Sequence, residues 1–274
     1  MVISVIPVGG LIVLGSLFLN SDRLYYWFAQ PWLRGAIGAA RLISGVQYRV
    51  QGLEHLPAAG EGHRVILCPK HQSAWETFFF PSIMPRPLAY VFKRELLWIP
   101  FFGWALGRID MVHIDRSARS EAWNKVAVQG ARLMDDDKWV IMFPEGTRTE
   151  RGQGGPYKTG ATRLALATGA MVIPIAVTSG RCWPRKTFSF RPGVVDVSIG
   201  PAIIAEPEES AGALMRRVEE WIEREMRRLD PDAYPAHERL DQEQLAAQRE
   251  QDTLAQAVDA ARGAVGPHYS DTEA

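Results

Sequence analysis

The sequence predicts an α/β fold, a largely parallel or mixed sheet flanked by helices, preceded by an N-terminal helical segment that anchors the chain to a membrane. Three observations carry this prediction. Short apolar runs, among them Val65–Cys68, Trp139–Phe143 and Val172–Val177, have the length of buried strands and are separated by stretches with helical spacing. Alternation of that kind builds a parallel layer with helices packed on it. The chemically able residues His71 and Glu145 follow directly on two of these runs. Ligands of parallel sheets bind there, beyond the strand C-termini. Finally, Met1 to Asn20 carries no charged side chain.

As a helix, those first residues would extend about 30 Å, the depth of a bilayer core. Pro7, Gly9 and Gly10 interrupt the run, so a kinked or shallow insertion competes with a clean crossing. A cleaved signal peptide is a further alternative, but the basic n-region and small-residue cleavage site are missing. Tyr25, Tyr26, Trp27, Phe28 and Trp32 follow, a cluster suited to the headgroup level. Arg34 and Arg41 are seven residues apart and share one face of a second helix running to about Ile43. That helix reads either as a membrane-surface helix or as the buried first helix of a globular domain. Arg23, Arg34, Arg41 and Arg49 place the main domain on the inner, cytoplasmic face. The organisation expected is an anchor over 1–45, a main domain over 46–235, and a polar helix with a disordered tail over 236–274.

Composition narrows the function. Lys and Arg number 31 and so do Asp and Glu, giving a formal net charge of zero. A nucleic-acid binder would show a basic excess, so nucleic acid is not an expected partner. Two cysteines, Cys68 and Cys182, argue against a disulfide framework and fit a reducing compartment. The six histidines are scattered without metal-ligand spacing, so no metal site is expected.

From Val46 the pattern changes to the main domain. Gln47–Val50 alternates like a strand. Val65–Cys68 is a strand, and Ala74–Ile83 is a helix crowded with Phe78, Phe79 and Phe80 and stopped by Pro85 and Pro87. Leu88–Phe92 and Asp110–Ile114 are strands. Ser117 or Ser120 caps a helix running to about Met134. Trp139–Phe143 is a strand and Thr159–Ala167 a helix. Val172–Val177 and Val194–Ile199 are strands, and Ser210–Leu229 is an amphipathic helix broken by Pro231 and Pro235. His237–Ala261 reads as helical and polar.

The stretch with the most chemistry is Lys70-His71-Gln72-Ser73-Ala74-Trp75-Glu76. Ser73 to Glu76 fits the S-x-x-E capping box, so a helix is expected to start at Ser73. His71 then lies in the strand-to-helix turn, and Glu76 can reach back to it. Within one helix, five residues would turn through about 500° and separate them. A histidine backed by a carboxylate is the base half of a Ser-His-Asp triad. There is no G-x-S-x-G elbow and both cysteines lie in apolar contexts, so the group to be activated is a substrate hydroxyl. Against this stands the reading of a structural histidine beside a glutamate that only caps a helix.

Phe143-Pro144-Glu145-Gly146-Thr147-Arg148 decides between them. Together with His-x-x-x-x-Glu at His71 and Glu76, it resembles the 1-acyl-glycerol-3-phosphate acyltransferase family. Phe92-Lys93-Arg94-Glu95, leading through Pro100, Gly103 and Gly107 to Ile114-Asp115-Arg116, and Val172–Val177 follow the same pattern. The likeness spans about Gly52 to Gly200. The family's first motif usually ends in Asp, whereas this chain has Glu, one methylene longer.

The resemblance implies transfer of a fatty acyl group from a thioester to a lysophospholipid hydroxyl. His71 would be the base and Glu76 its orienting carboxylate. The acceptor phosphate would be held by Arg148 with Gly146 and Thr147 beside it, by Arg116 and Lys93, and by Lys158 near a helix N-terminus. Glu145 would order Arg148 or bind the glycerol. Read without the resemblance, Pro144-Glu145-Gly146 is equally a plain turn. Arg151, Arg181, Arg185 and Lys186 read as solvated or lipid-facing. Some of Phe78, Phe79, Phe80, Trp98, Phe101, Phe102 and Trp104 would line an acyl-chain channel or dip into the membrane surface. No cofactor is implied; acyl-CoA or acyl-acyl carrier protein is the co-substrate. The partners are the bilayer, the lysophospholipid acceptor and the thioester donor. The rival readings are an acyltransferase for another acceptor, such as a lyso-aminolipid or glycerol 3-phosphate, and a catalytically silent lipid-binding protein.

Overall fold

A computed structural model of the chain describes residues 2–58, 62–114, 119–187 and 189–234. It begins with α1 (Val2–Gly15), the short α2 (Ser21–Leu24), a π-helical turn at Tyr25–Ala29 and α3 (Gln30–Ser44). Then come β1 (Val46–Gln51), β2 (Val65–Pro69), α4 (Trp75–Ile83), β3 (Leu88–Lys93), α5 (Phe102–Leu106) and β4 (Val112–Ile114). The remainder is α6 (Arg119–Asp135), β5 (Trp139–Ile141), α7 (Gly160–Thr168), β6 (Met171–Val177), β7 (Gly193–Ile199) and α8 (Ala211–Leu229).

The strands form one seven-stranded mixed sheet in the order β1-β7-β6-β2-β5-β3-β4. Five neighbours, β6, β2, β5, β3 and β4, run parallel. β7 is antiparallel to β6 and parallel to β1. The reversal has a local cause: among its described residues, the chain between β6 and β7 holds a 3-10 turn at Ser179–Arg181 and no α-helix to carry it back for a parallel return.

β2 is the central strand and is buried on both faces, which is why it reads as an unbroken apolar run. Its alternation sets up the site. Val65 and Leu67 share a core cluster with Trp75, Phe79 and Phe80 of α4. Ile66 and Cys68 therefore face the opposite way. The same alternation carried past Pro69 sends Lys70 and His71 to opposite sides.

The boundaries of α4 are set by side chains. The predicted start at Ser73 moves to Trp75, because the Ser73 hydroxyl accepts the N–H of Trp75 at 3.1 Å rather than that of Glu76. The other half of the capping box forms: Glu76 Oε1 accepts the Ser73 N–H at 2.9 Å. Pro81 lies inside α4 and lacks the N–H that would bond the Thr77 carbonyl. The Tyr90 hydroxyl reaches that carbonyl at 3.5 Å. At the helix end, the Pro81 carbonyl accepts from Tyr25 Oη at 2.7 Å, and the Ser82 carbonyl from Arg34 Nε at 2.9 Å. The N-terminal helices thus satisfy carbonyls that a helix end leaves bare.

The N-terminal run is shorter as a helix than expected. α1 has 14 residues and spans about 21 Å, below the roughly 30 Å of a bilayer core. Among the described residues no helix is long and apolar enough to cross a membrane. Pro7 is accommodated inside α1. Gly9 is a packing contact instead of a break: a Cβ there would lie 2.6 Å from the Phe101 carbonyl oxygen. α3 has Pro31 in its first turn and ends at Gly45 in the left-handed conformation. Its Ala36, Ile37 and Ala40 are buried and the helix packs against α4, while Leu42 and Ile43 are exposed. The cap of α6 and the expected helix over 237–261 lie outside the described residues.

Candidate active site

His71 follows β2 at the C-terminal edge of the parallel block. Its Nδ1 lies 2.5 Å from Glu76 Oε2. A carboxylate oxygen accepts, so Nδ1 is the donor, and in the neutral imidazole Nε2 is the nitrogen that carries the lone pair. Nε2 has no hydrogen-bond partner among the described residues. The imidazole also stacks on Phe143, with centroids 3.8 Å apart and planes at 19°. Glu76 is wholly buried, and its hydrogen-bond partners among the described residues are all donors: the N–H groups of Gln72 and Ser73 at 2.9 Å each, the Ser179 hydroxyl and His71 Nδ1. The chain reversal between β2 and α4 brings the two residues together, and the imidazole has one orientation and one tautomer.

The loop after β5 holds the His71 backbone. The Glu145 carboxylate is buried. Its Oε2 accepts the His71 N–H at 2.8 Å, and its Oε1 lies 2.7 Å from Lys70 Nζ. The Thr149 N–H bonds the His71 carbonyl at 2.8 Å. Burial pushes the Glu145 carboxyl above its ordinary range, with the Lys70 charge and hydrogen bond opposing. Glu145 makes no bond to Arg148: the group is enclosed and turned toward Lys70 and the His71 backbone.

The predicted cations are distributed along the same edge. Arg148 is exposed and makes no hydrogen bond or ion pair among the described residues; Thr147 beside it is exposed as well. Gly146 has φ 67°, which favours glycine, and a Cβ there would meet Lys158 Nζ at 2.8 Å. Lys158 therefore lies over the loop, immediately before α7. Lys93 is exposed at the end of β3, the strand beside β5. Arg116 lies outside the described residues. Arg151 and Arg181, expected to be solvated or lipid-facing, are instead tied to the buried Asp230 just beyond α8. Arg151 forms two bonds of 2.7 Å and Arg181 one of 2.9 Å.

An apolar cavity of about 290 Å³ lies among the N-terminal helices, α4, β3 and α5, and Tyr90 and Phe143 connect its wall to His71. It is bounded by Val8 and Ile12 of α1, Phe78 of α4, Tyr90 of β3 and Phe102 and Ala105 of α5. The Tyr90 ring is 6.3 Å from that of Phe143, which stacks on His71. Phe79 and Phe80 are core, whereas Trp98 and Trp104 are exposed.

Several residues of the site carry no local signal. Ser179 is 103 residues from the Glu76 it bonds, and Glu223 of α8 is 153 from Lys70. Phe143 stands in a quoted motif, yet nothing in the motif says that it stacks on the histidine. Both thiols are buried, and burial pushes Cys68 up to about 12 and raises Cys182, which keeps them in the unreactive thiol form.

An imidazole oriented by a buried carboxylate at the sheet edge, an exposed guanidinium on the loop after β5 and an apolar cavity among α1, α4, β3 and α5 are the parts that an acyltransferase working on a substrate hydroxyl would use. A family model described as Acyltransferase matches residues 47–178. The 1-acyl-sn-glycerol-3-phosphate acyltransferase of Pseudomonas aeruginosa is 43% identical over 209 residues, 76% of this chain and 79% of that one. The plant protein of the same name from Limnanthes douglasii is 30% identical over 162 residues, 59% of this chain and 56% of that one. The chain belongs to the 1-acyl-sn-glycerol-3-phosphate acyltransferase family. In fold it matches the crystal structure of the 1-acyl-sn-glycerophosphate (LPA) acyltransferase PlsC from Thermotoga maritima. The TM-score is 0.67 at 22% identity, over 84% of this chain and 91% of that one.

Proposed function

We propose that the protein transfers a fatty acyl group from an acyl thioester to the free hydroxyl of lysophosphatidic acid at a membrane surface, giving phosphatidic acid. The observation that carries this reading is the His71–Glu76 pair, with Nε2 unpartnered at the sheet edge. The acceptor O–H gives its proton to Nε2 as the oxygen attacks the thioester carbon. The C–S bond then breaks, and the leaving thiolate takes the proton from the imidazolium. Glu76 stabilises that imidazolium. General-base assistance of this kind is worth about 10²–10⁴ in rate.

Arg148 is the phosphate ligand in this reading, helped by Lys158 and Lys93, because its planar fork faces no protein partner among the described residues. The acyl chain takes the cavity, whose apolar walls favour methylenes at about 0.8 kcal/mol each and penalise an unpaired charge. The membrane contact is shallow. Leu17 and Phe18, just past α1, are 71% and 86% exposed, and Trp98, near the Phe101 carbonyl that packs on Gly9, is 77% exposed. The inner-face orientation rests on Arg23 and Arg41, since Arg34 bonds Ser82 and Arg49 pairs with Asp196.

The test is an assay of the purified full-length protein in mixed micelles against lysophosphatidic acid, glycerol 3-phosphate and a lyso-aminolipid. Each acceptor is paired with acyl-CoA and with acyl-acyl carrier protein. Turnover of lysophosphatidic acid by either donor is expected. Turnover of only a phosphate-free acceptor would overturn the assignment of Arg148, and no turnover with any pair would leave a lipid-binding protein.

A further inference from the structure

Lys70 precedes His71 and points to the other side of the sheet. Its side chain is completely enclosed. The ammonium lies 2.7 Å from Glu145 Oε1 and 2.6 Å from Glu223 Oε1, and 5.6 Å from the centre of the Tyr157 ring. Tyr157 Oη donates to Glu223 Oε1 at 2.8 Å. Three segments distant in sequence meet at this ammonium: the end of β2, the β5–α7 connection through Glu145 and Tyr157, and α8. Glu223 also lies beyond the 47–178 region that the family model matches.

Burying one ammonium and two carboxylates is costly, and an apolar filling of the same volume is often no less stable. The network has a geometric consequence that an apolar filling would lack. Glu145 is held by Lys70 through one oxygen and holds the His71 N–H through the other. Thr149, on the same loop, donates its hydroxyl to Glu145 Oε1 at 3.2 Å and its backbone N–H to the His71 carbonyl at 2.8 Å. Both backbone polar groups of His71 are therefore fixed by a loop whose carboxylate is pinned from α8. Lys70 is sealed from any substrate, so it acts only through its neighbours.

We propose that Lys70 and Glu223 are positioning residues for the transfer step: through Glu145 they set the placement of the His71 backbone, and so tie the geometry of the base to α8. This rests on His71 being the base. A displacement of a reacting group by about 1 Å costs on the order of 10²-fold in rate, so a small loosening is readable in kcat.

The test uses full-length protein in micelles with lysophosphatidic acid and an acyl thioester. Glu223→Gln keeps an oxygen acceptor for Lys70 and Tyr157. Glu223→Leu removes it. The double variant Lys70→Met/Glu223→Leu removes both of these charges. Thermal unfolding is followed first, and kinetics are measured well below the lowest midpoint. Glu223→Leu is expected to lose about 10–100-fold in kcat, with both KM values within about threefold of the parent protein, and Glu223→Gln to recover most of the loss. The double variant is expected to lose no more than Glu223→Leu, because the residues act as a unit. If Glu223→Leu does not fold, the double variant and Glu223→Gln carry the comparison. A folded Glu223→Leu or double variant with the parent kcat would reduce the network to a stabilising one. A loss confined to the acceptor KM would make it an acceptor-binding device, which also overturns the proposal. Failure of the unmodified protein to acylate lysophosphatidic acid would count against the proposed reaction instead; once it is active, the variant ratios alone judge the network.

Discussion

His71 Nδ1 lies 2.5 Å from one oxygen of Glu76, while the other oxygen of that carboxylate gathers the N–H groups of Gln72 and Ser73. One side chain both closes the first turn of α4 and orients the imidazole. The two roles separate on substitution. In Glu76→Gln the carbonyl oxygen keeps the Gln72, Ser73 and Ser179 bonds, and the amide NH₂ faces Nδ1. An NH₂ group cannot accept, so the imidazole must place its proton on Nε2, the atom that has to take one from the substrate. In a serine-protease triad the corresponding amide substitution costs about 10⁴ in rate with the geometry intact, which sets the scale. A folded, nearly inactive Gln variant and a partly active Glu76→Asp variant are expected, measured as kcat beside thermal unfolding. Near-normal turnover by a well-folded Gln variant would reduce Glu76 to a helix cap.

Two arginines three residues apart have opposite situations, and substitution should separate them. Arg148 is exposed and unpartnered among the described residues, whereas Arg151 is bidentate to buried Asp230. Arg148→Ala is expected to leave the unfolding midpoint unchanged and weaken use of the phosphorylated acceptor. Loss of hydrogen bonds to a charged group is worth about 1.5–3 kcal/mol, or roughly 10–100-fold in kcat/KM. Arg148→Lys should recover little, because a point charge does not reproduce the fork. Arg151→Ala should lower the midpoint. Equal loss with a phosphate-free acceptor would show Arg148 to be structural.

The sheet is legible in the sequence because buried parallel strands leave dense apolar runs, and the base pair because its members are five residues apart across one turn. The antiparallel β7 is not, since it depends on a missing crossover helix rather than on the strand's own residues. Lys70 is present in the motif, but its role is defined by Glu223 and Tyr157, which only the packing of α8 and the α7 approach brings near. Glu145 reads as a ligand in sequence because a carboxylate in a turn is usually exposed; here the turn folds under the strand end. Arg151 and Arg181 read as solvated because their partner, Asp230, follows a helix that sequence alone does not dock. In each case the missing information is tertiary.

The cavity makes a prediction about chain length. Ala105 is buried and lines it. Ala105→Phe adds a ring where the acyl chain is proposed to lie. Exclusion of three methylenes costs about 2.4 kcal/mol at about 0.8 kcal/mol each, roughly 60-fold in kcat/KM for the longer donors. Overpacking costs about 1–3 kcal/mol of stability. The readout is therefore the ratio of kcat/KM for short and long thioesters in one preparation, which does not depend on the folded fraction. A ratio equal to that of the parent protein would remove the acyl chain from this cavity.

Asp230 gives a pH signature with a definite sign. Burial pushes its carboxyl upward and is the largest single influence, but the hydrogen bonds and charges of Arg151 and Arg181 together outweigh it and hold the group below the usual range. A carboxyl whose folded value lies below its unfolded value near 3.9 contributes fully above that pH, and the contribution is lost as pH falls through the folded value. Asp230→Asn should therefore be destabilised by about 2 kcal/mol at pH 7, less than the roughly 3–5 kcal/mol of a fully buried pair because both arginines are partly exposed. Denaturant unfolding of both proteins from pH 7 down to about pH 3 should show the difference constant near neutrality and shrinking below about pH 4. A difference that persists unchanged at the acid end would mean that the side-chain shape of Asp230, and not its charge, holds the end of α8 against the loops carrying Arg151 and Arg181.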